Sequence, residues 1–536
     1  MAGSAEQQGR AGRRQPRARP SAALRLTCCG ANLLEASIAV ALGVRGGAAL
    51  SPQAAAPPPL GLFSDLRWLV VYERSWPTFA AGLTFVLLAR SALSALQLHL
   101  AWPKSAPAPR HVLTRLIVFD LALVVVLGPF ALLLFGLAAF PVSWLYFAAV
   151  PSAVVCSLLL HEGAFAKGWW RRAPRPSALA WMAATVFVVT IAAGIISLRP
   201  SALALPLAVA TGWVEATVWV HIADAVAGRA STRFVPVAPA LLIAFLGGAI
   251  GGAWVSFSAA RPHPHPPEAL PGVALEGRLA VLVVGGFSST SRADQWPLTG
   301  LPPHAVIVPY SYSGARENGM PLAYTAASTH DALSTLSQRM AQQVASLARR
   351  TGRRVDIVAV SEGTAVTATY LALHKDAPVR DVVLVSPLLH AGSVTYPPRG
   401  KQGWGMVAGR GLQLLSTWLS PLSSQDLSPS QPFLRSLVAL APNALRADCT
   451  TPCRRRVVAI VPLADTVAGT PTDGQATVVV VPAFHGANLS DPTVQRTIAE
   501  TMRGLPVTGS TSEADLARII AGLASAWRVP SLRETS

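Results

Sequence analysis

Apolar residues fill the first half of the chain in long stretches, while in the second half they come in short bursts separated by polar turns. Runs long enough to cross a bilayer lie near residues 28–50, 77–98, 113–138, 141–160, 178–198, 202–225 and 238–259. The first is the weakest, because Glu35 and Arg45 interrupt it, and Phe140-Pro141 parts the third from the fourth, since proline ends a helix. Past residue 260 the pattern changes. "RLAVLVV" (278–284), "VDIVAV" (355–360), "VRDVVLV" (379–385), "RRVVAIV" (455–461) and "ATVVVV" (476–481) are short β-branched runs of the kind buried on both faces of a parallel sheet. Between the first two, Leu333, Leu336, Met340, Val344 and Leu347 recur at helical spacing and predict a one-sided helix. A last helix is expected over "SEADLARIIAGLASAW", with Ser512 and Asp515 as a capping box.

These patterns divide the chain into a basic tail (1–27), a membrane domain of about seven helices (28–260), a proline-rich linker (261–273) and an α/β domain (274–530). The expected fold is therefore an α-helical transmembrane bundle followed by a mostly parallel, doubly wound sheet. Composition agrees: 51% of residues are hydrophobic and 13% are charged, about half the usual charged share of soluble domains.

The net charge of +18 would suit a nucleic-acid partner, but the basic residues are not gathered with aromatics on one domain. Arg10, Arg13, Arg14, Arg17, Arg19 and Arg25 crowd the N-terminus, and Lys104, Arg110, Lys167, Arg171, Arg172, Arg175, Arg229 and Arg233 sit in alternate loops. The opposite loops hold Arg67, Arg74 and Arg199. By the positive-inside rule the N-terminus is then cytoplasmic and the α/β domain extracytoplasmic, with the bilayer as partner and no nucleic acid. No signal-peptide shape is present, so an uncleaved anchor is expected. Asp120, Glu215, His221 and Asp224 fall within the spans; Glu215 lies nearest the middle and is the candidate for function, against an interhelical hydrogen bond. His263 and His265 belong to the linker, where nothing completes a metal site, and no metal or cofactor is expected.

Candidate chemistry centres on "VDIVAVSEGTAV" (355–366). Ser361 ends a strand and precedes a helix beginning at "EGTAV", with Ala359 and Gly363 as the small residues two before and two after it. A sharp strand-to-helix turn needs small residues there to lift a serine hydroxyl above the sheet, although glycine rather than alanine is usual at the first position. A nucleophilic serine needs a base and a carboxylate to orient that base. Asp465 follows one strand in "VVAIVPLADTVAG", and His485 follows the next in "VVVVPAFHGANL". His304, His330, His374 and His390 all precede the acid. Two amides must face the developing oxyanion. Glu362 supplies one, and the "VVGGFSST" loop the other, from Phe287 with Gly286 as the alternative.

The pieces "VVGGFSSTS", "VPYSYSG" (308–314), "VDIVAVSEGTA", "DLSPSQPFLRSL" (426–437), "VPLADTVA" and "FHGANLSD" resemble the α/β-hydrolase superfamily. Within it they are similar to secreted or membrane-associated lipases and the GPI-inositol-deacylase-like group. The resemblance covers residues from about 276 to 505 and implies Ser361 as nucleophile, Asp465 as acid and His485 as base. It departs at Ala359, at Glu362, where glutamine or histidine is common, and at Gly285, where the family often has histidine. The activity implied is hydrolysis of an acyl ester, lipid-derived because the domain is tethered at a bilayer. Acyl transfer by the same triad, and a transporter or sensor with a non-catalytic hydrolase-like domain, are the rival readings. Segment 393–448 is long enough to form a lid. Cys449 and Cys453 flank "TTP"; a short disulfide suits an exported domain, whereas a metal site would want a second pair that the chain lacks. Cys28, Cys29 and Cys156 are expected to be free thiols.

Overall fold

The computed structural model describes residues 19–43, 45–102, 109–139, 160, 176–198, 203–227, 278–291, 298, 300–302, 304–388, 405–419, 430–440, 455–462, 476–481, 489, 491–523 and 526–527. The N-terminal half is helical: α1 (Ala22–Ala41), α2 (Arg45–Leu50), α3 (Leu60–Tyr72), α4 (Trp76–Ala101), α5 (Pro109–Ala139), α6 (Pro176–Leu198) and α7 (Ala204–Ala227). Among the described residues five helices, within α1, α4, α5, α6 and α7, are long and apolar enough to cross a membrane. The expected spans at 141–160 and 238–259, and the linker, lie outside the described residues, save Leu160.

The bundle is apolar outside and polar inside. Leu26, Leu34, Ile38, Phe85, Leu88, Val118, Val125 and Phe187 are exposed on the helix surfaces, while Asn32, Gln53, Arg67, Gln97, Asp120 and Glu215 are buried. Water would reverse that arrangement; a hydrocarbon surround favours it.

The first span is displaced from its expected position. The helix runs Ala22–Ala41 rather than 28–50, and Gly43 turns the chain with φ 68. Glu35 is tolerated because Arg90 of α4 reaches its carboxylate at 3.2 Å, while also pairing with Asp65. Residues 45–72, expected as part of a span and a loop, instead form a buried hairpin of α2, a short 3₁₀ turn (Ser51–Gln53) and α3. Residues 51–64 are all buried, including the irregular stretch before α3. Non-helical backbone at membrane depth needs internal partners, and the polar side chains of the spans supply them. The Ala55 N–H donates to Asn32 Oδ1 at 2.8 Å, and its carbonyl accepts from Gln97 Nε2 at 3.1 Å and Trp219 Nε1 at 2.9 Å. Asn32 Nδ2 in turn donates to Glu215 Oε2 at 2.9 Å and to Thr211 Oγ1 at 3.1 Å. Glu215 therefore takes the interhelical hydrogen bond. Asp120 is held by Ser91 at 2.6 Å, and Cys28 and Cys29 are free thiols. Gly212 lets α7 approach the α1 backbone: a Cβ there would lie 2.6 Å from Cys29 Cα.

Among the described residues the C-terminal half forms a six-stranded, wholly parallel sheet in the order β2-β1-β3-β4-β5-β6. Its strands are β1 (Ala280–Val284), β2 (Val306–Pro309), β3 (Val355–Val360), β4 (Val379–Val385), β5 (Arg456–Pro462) and β6 (Thr477–Val481). The helices are α8 (Leu333–Thr351), α9 (Glu362–Leu373), α10 (Met406–Leu419), α11 (Pro432–Leu440), α12 (Pro492–Met502) and α13 (Thr511–Leu523). Alternate strand residues face opposite layers: Leu282, Val284, Ile357 and Ala359 pack with α8, α9 and α11. Val281, Val283, Val358 and Val360 pack with Val494, Ile498 and Met502 of α12. Every residue of the predicted α8 stripe is buried. The fold is the expected doubly wound α/β domain. The capping box at Ser512 is not formed: α13 starts at Thr511, so Ser512 sits inside the first turn and donates to Glu513 at 2.8 Å.

The two halves are tied together by the C-terminal segment. Gly194 of α6 lets Leu523 approach to backbone distance. Beyond α13, the Ala526 carbonyl accepts from Gln53 Nε2 at 2.9 Å and from the buried Arg67 at 2.8 Å, and the Trp527 indole donates to Thr190 at 2.9 Å. Arg67, expected in a loop, is thus a buried clasp on the hairpin. The insertion between β4 and β5 also touches the bundle, since Gly405 N–H donates to the Val71 carbonyl at 2.7 Å.

Asn32→Leu leaves the Ala55 N–H and a Glu215 oxygen buried without their partner, each worth about 1–3 kcal/mol. Its thermal unfolding in detergent should fall by several degrees, roughly 4 °C or more, whereas Leu34→Ala, on the exposed face of the same helix, should leave it unchanged.

Candidate active site

β3 is buried along its whole length and ends at Val360. The next residue, Ser361, has φ 51 and ψ −116, a conformation an L-residue adopts only under constraint, and α9 starts immediately after it. Three contacts hold the turn. The Ser361 N–H donates to the Val385 carbonyl of β4 at 3.0 Å, the Thr364 N–H donates back to the Ser361 carbonyl at 2.9 Å, and the Leu388 N–H donates to Thr364 Oγ1 at 2.9 Å. A serine at a sharp strand-to-helix turn places its hydroxyl above the sheet edge. Ser361 is 7% exposed.

The small residues around it have separate duties. Ala359 pairs with Val284 and Leu384 inside the sheet, so its backbone is extended and the methyl group is accommodated where glycine is usual. Gly363 has no such freedom. A Cβ there would lie 2.6 Å from the carbonyl oxygens of both Val284 and Gly285, so α9 can seat against the end of β1 only with glycine. Gly286 faces the serine itself: a Cβ on it would be 3.3 Å from Ser361 Cβ and 3.8 Å from Oγ.

β1 and β3 are neighbours, yet the chain leaves β1 for β2 on one side and reaches β3 on the other. The loops after them diverge and leave a crevice, the place where doubly wound sheets bind ligands. Gly286 and Ser361 stand on its two walls. The β1 loop is fixed from several directions. Tyr312 Oη donates to the Gly285 carbonyl at 2.6 Å, the Ser288 N–H donates to Thr329 Oγ1 at 3.0 Å, and Ser289 and Tyr324 share a hydrogen bond at 3.3 Å. Phe287 stacks on His330 at 4.7 Å and lies 6.0 Å from Phe433 of α11. These supporting residues were not anticipated, although the alternating "YSY" after β2 marks two of the tyrosines as pointing to one side.

Glu362 is fully buried, and among the described residues neither carboxyl oxygen has a hydrogen-bond partner. Burial pushes its carboxyl well above the usual carboxylate range. Its charge would bear on Tyr310, Tyr312 and Tyr324, whose phenols burial also raises, that of Tyr324 to about 12.

The structure brings together Ser361, Glu362, Gly363, Ala359, Gly286 and Phe287 at one end of the sheet. Asp465, His485, Cys449 and Cys453 lie outside the described residues. The strands before the acid and the base are described: β5 ends at Pro462 and β6 at Val481. Both are parallel to β3, so the chain leaves each at the edge where Ser361 stands, about 10 and 15 Å along the sheet. Of the other histidines, His330 packs on Phe287, His304 occupies a turn with φ 72, and His374 ends α9 beside Tyr370. Among the described residues no group of three or more His, Cys, Asp or Glu could hold a metal ion.

No family model and no curated protein matches the chain. Among solved structures it is similar to the crystal structure of Aspergillus fumigatus lipase B, with 13% identity and a TM-score of 0.25, over 75% of this chain and 96% of that one.

Gly363→Val sets side-chain carbons against two backbone oxygens and must push α9 off β1. The variant should lose about 2 kcal/mol or more of stability, read as a drop in unfolding temperature, while Gly352→Ala, in open space after α8, should cost only the strain of its positive φ, about 1 kcal/mol.

Proposed function

We propose that the chain is a membrane-anchored serine hydrolase of the α/β-hydrolase kind, cleaving acyl esters supplied by the bilayer. The observation that carries this reading is the conformation of Ser361: a constrained serine between a buried strand and a helix, facing a glycine loop across the switch point of the sheet. Ser386 after β4 has the same φ of 51, but it is fully buried and no helix begins directly after it; what sets Ser361 apart is the helix that starts at Glu362 and the Gly286 backbone facing its side chain.

In this mechanism Ser361 Oγ attacks the ester carbonyl and gives its proton to His485. Asp465 holds the imidazole in the tautomer that accepts it and stabilises the imidazolium. The N–H groups of Glu362 and Phe287, with Gly286 as the alternative second donor, receive the developing oxyanion, a role in which the rigid support of the β1 loop by Tyr312 and Thr329 matters. The tetrahedral species collapses as His485 protonates the leaving alcohol. Water then attacks the acyl-enzyme, its proton passing to His485, and releases the carboxylic acid and free Ser361. No metal or cofactor enters any step.

The substrate class follows from placement. Apolar-out, polar-in helices support a bundle embedded in a membrane, and the distribution of basic residues by the positive-inside rule supports an extracytoplasmic C-terminal domain. The clasp of Gln53, Arg67 and Thr190 on residues 526–527 supports a hydrolase held close to the bilayer surface, where esters of membrane lipids are the most concentrated acyl donors.

Ser361→Ala should lower the turnover of a short-chain nitrophenyl ester by about six orders of magnitude, as removal of a triad serine does. Hydrolysis by the variant at near the native rate excludes this mechanism.

A further inference from the structure

Beside Ser361 stands a group the mechanism leaves unused, the side chain of Glu362. It is the one ionisable side chain in the first turn of α9, it has no exposed surface, and neither oxygen has a partner among the described residues. A buried carboxylate without a counter-ion is among the costliest arrangements in a protein, whereas the neutral acid is tolerated. Among the described residues the groups around it offer no counter-charge. From the end of β2 come the phenols of Tyr310 and Tyr312, and from the following loop that of Tyr324. The short 3₁₀ turn (Ala326–His330) contributes His330, whose ring is stacked on Phe287. Asp331 and Arg339 of the α8 end pair with each other at 2.5 Å, and Arg339 also donates to the Tyr312 carbonyl. The β1 loop, residues 285–291, has no ionisable side chain, and Arg435 of α11 is exposed to solvent.

The backbone of this same residue supplies the amide assigned to the oxyanion. A negative carboxylate on it would stand one residue from the oxygen whose negative charge the reaction must create. At the effective dielectric of a protein interior, two like charges at that range oppose the transition state by about a hundredfold in rate.

We propose that Glu362 works as an obligatorily uncharged acid: the Ser361 reaction runs while the carboxyl keeps its proton and shuts down when alkaline medium removes it. The inference rests on the hydrolase reading above and adds an alkaline limit set by a side chain that never touches substrate. The step is a single proton transfer from the Glu362 carboxyl to solvent hydroxide, leaving carboxylate and water. The stability consequence has a definite sign. Because the folded protein holds this proton more tightly than the unfolded chain, stability falls as pH rises from the ordinary carboxylate range toward the raised value.

The test uses the full-length protein in lipid nanodiscs and compares native chain, Glu362→Gln and Glu362→Met. Methionine keeps the buried volume and needs no hydrogen-bond partner, so it covers the case in which the glutamine amide is not accommodated. The rate of labelling by a fluorophosphonate is measured from about pH 5 to about pH 10, together with unfolding temperature. The native rate should rise as His485 loses its proton and fall again on the alkaline side. In both variants the rise should remain and the fall disappear, so that the variant-to-native ratio grows by about a hundredfold across that limb. The unfolding temperatures of the variants should also gain on the native one as pH rises. An alkaline fall that persists in the variants, or a native profile with no such fall, overturns the proposal alone. Absence of labelling in all three proteins at every pH overturns the hydrolase reading, and this inference with it.

Discussion

The C-terminal half depends on how closely α9 approaches the end of β1. Gly363 permits backbone oxygens of Val284 and Gly285 to lie where any side chain would collide. That approach sets the entry angle of the helix, and the angle forces Ser361 into its constrained conformation. It also draws Gly286 to the serine and buries the Glu362 side chain beneath the turn. A looser junction would leave the same residues in the same order with no site between them. The hydrogen bond from Ser361 N–H to Val385 and the hold of Tyr312 on Gly285 fix the two walls that the junction creates.

The membrane half meets a different constraint, that buried backbone must find partners where no water reaches. The hairpin at 45–72 breaks helical bonding inside the bundle, and Asn32, Gln97 and Trp219 repair it. Asn32, Gln97 and Trp219 in the spans are thus explained by the hairpin they serve. Gln53 and Arg67 on the same hairpin also bind the Ala526 carbonyl, so one buried element orders the bundle and fastens the C-terminal domain to it.

What could be read from the sequence follows the range of the forces involved. Of the six described strands, five declared themselves as β-branched runs, because burial on both faces leaves few polar positions, and those near the strand starts, Asp356 and Asp381, are paired with Arg380. β2 did not, being four residues long and ending in Pro309. The α8 stripe was legible because helical spacing is local. The buried hairpin was not: its prolines and Arg67 look like a loop, and the groups that satisfy it lie far along the chain, as Trp219 does from Ala55. At the site, Ser361, Gly363 and the glycine loop could be picked out by spacing and order. The supports Tyr312, Thr329 and Phe433, and the isolation of Glu362, could not, since each depends on which distant element happens to pack there.

Everything proposed for the site turns on Ser361 being an activated nucleophile on the outer side of the membrane. This is tested most directly by treating intact cells with a membrane-impermeant fluorophosphonate and mapping the adduct by peptide mass spectrometry. A single adduct is expected on the peptide containing Ser361, lost when the protein is unfolded before treatment. An adduct that forms only after lysis, or none on Ser361 at all, contradicts this reading.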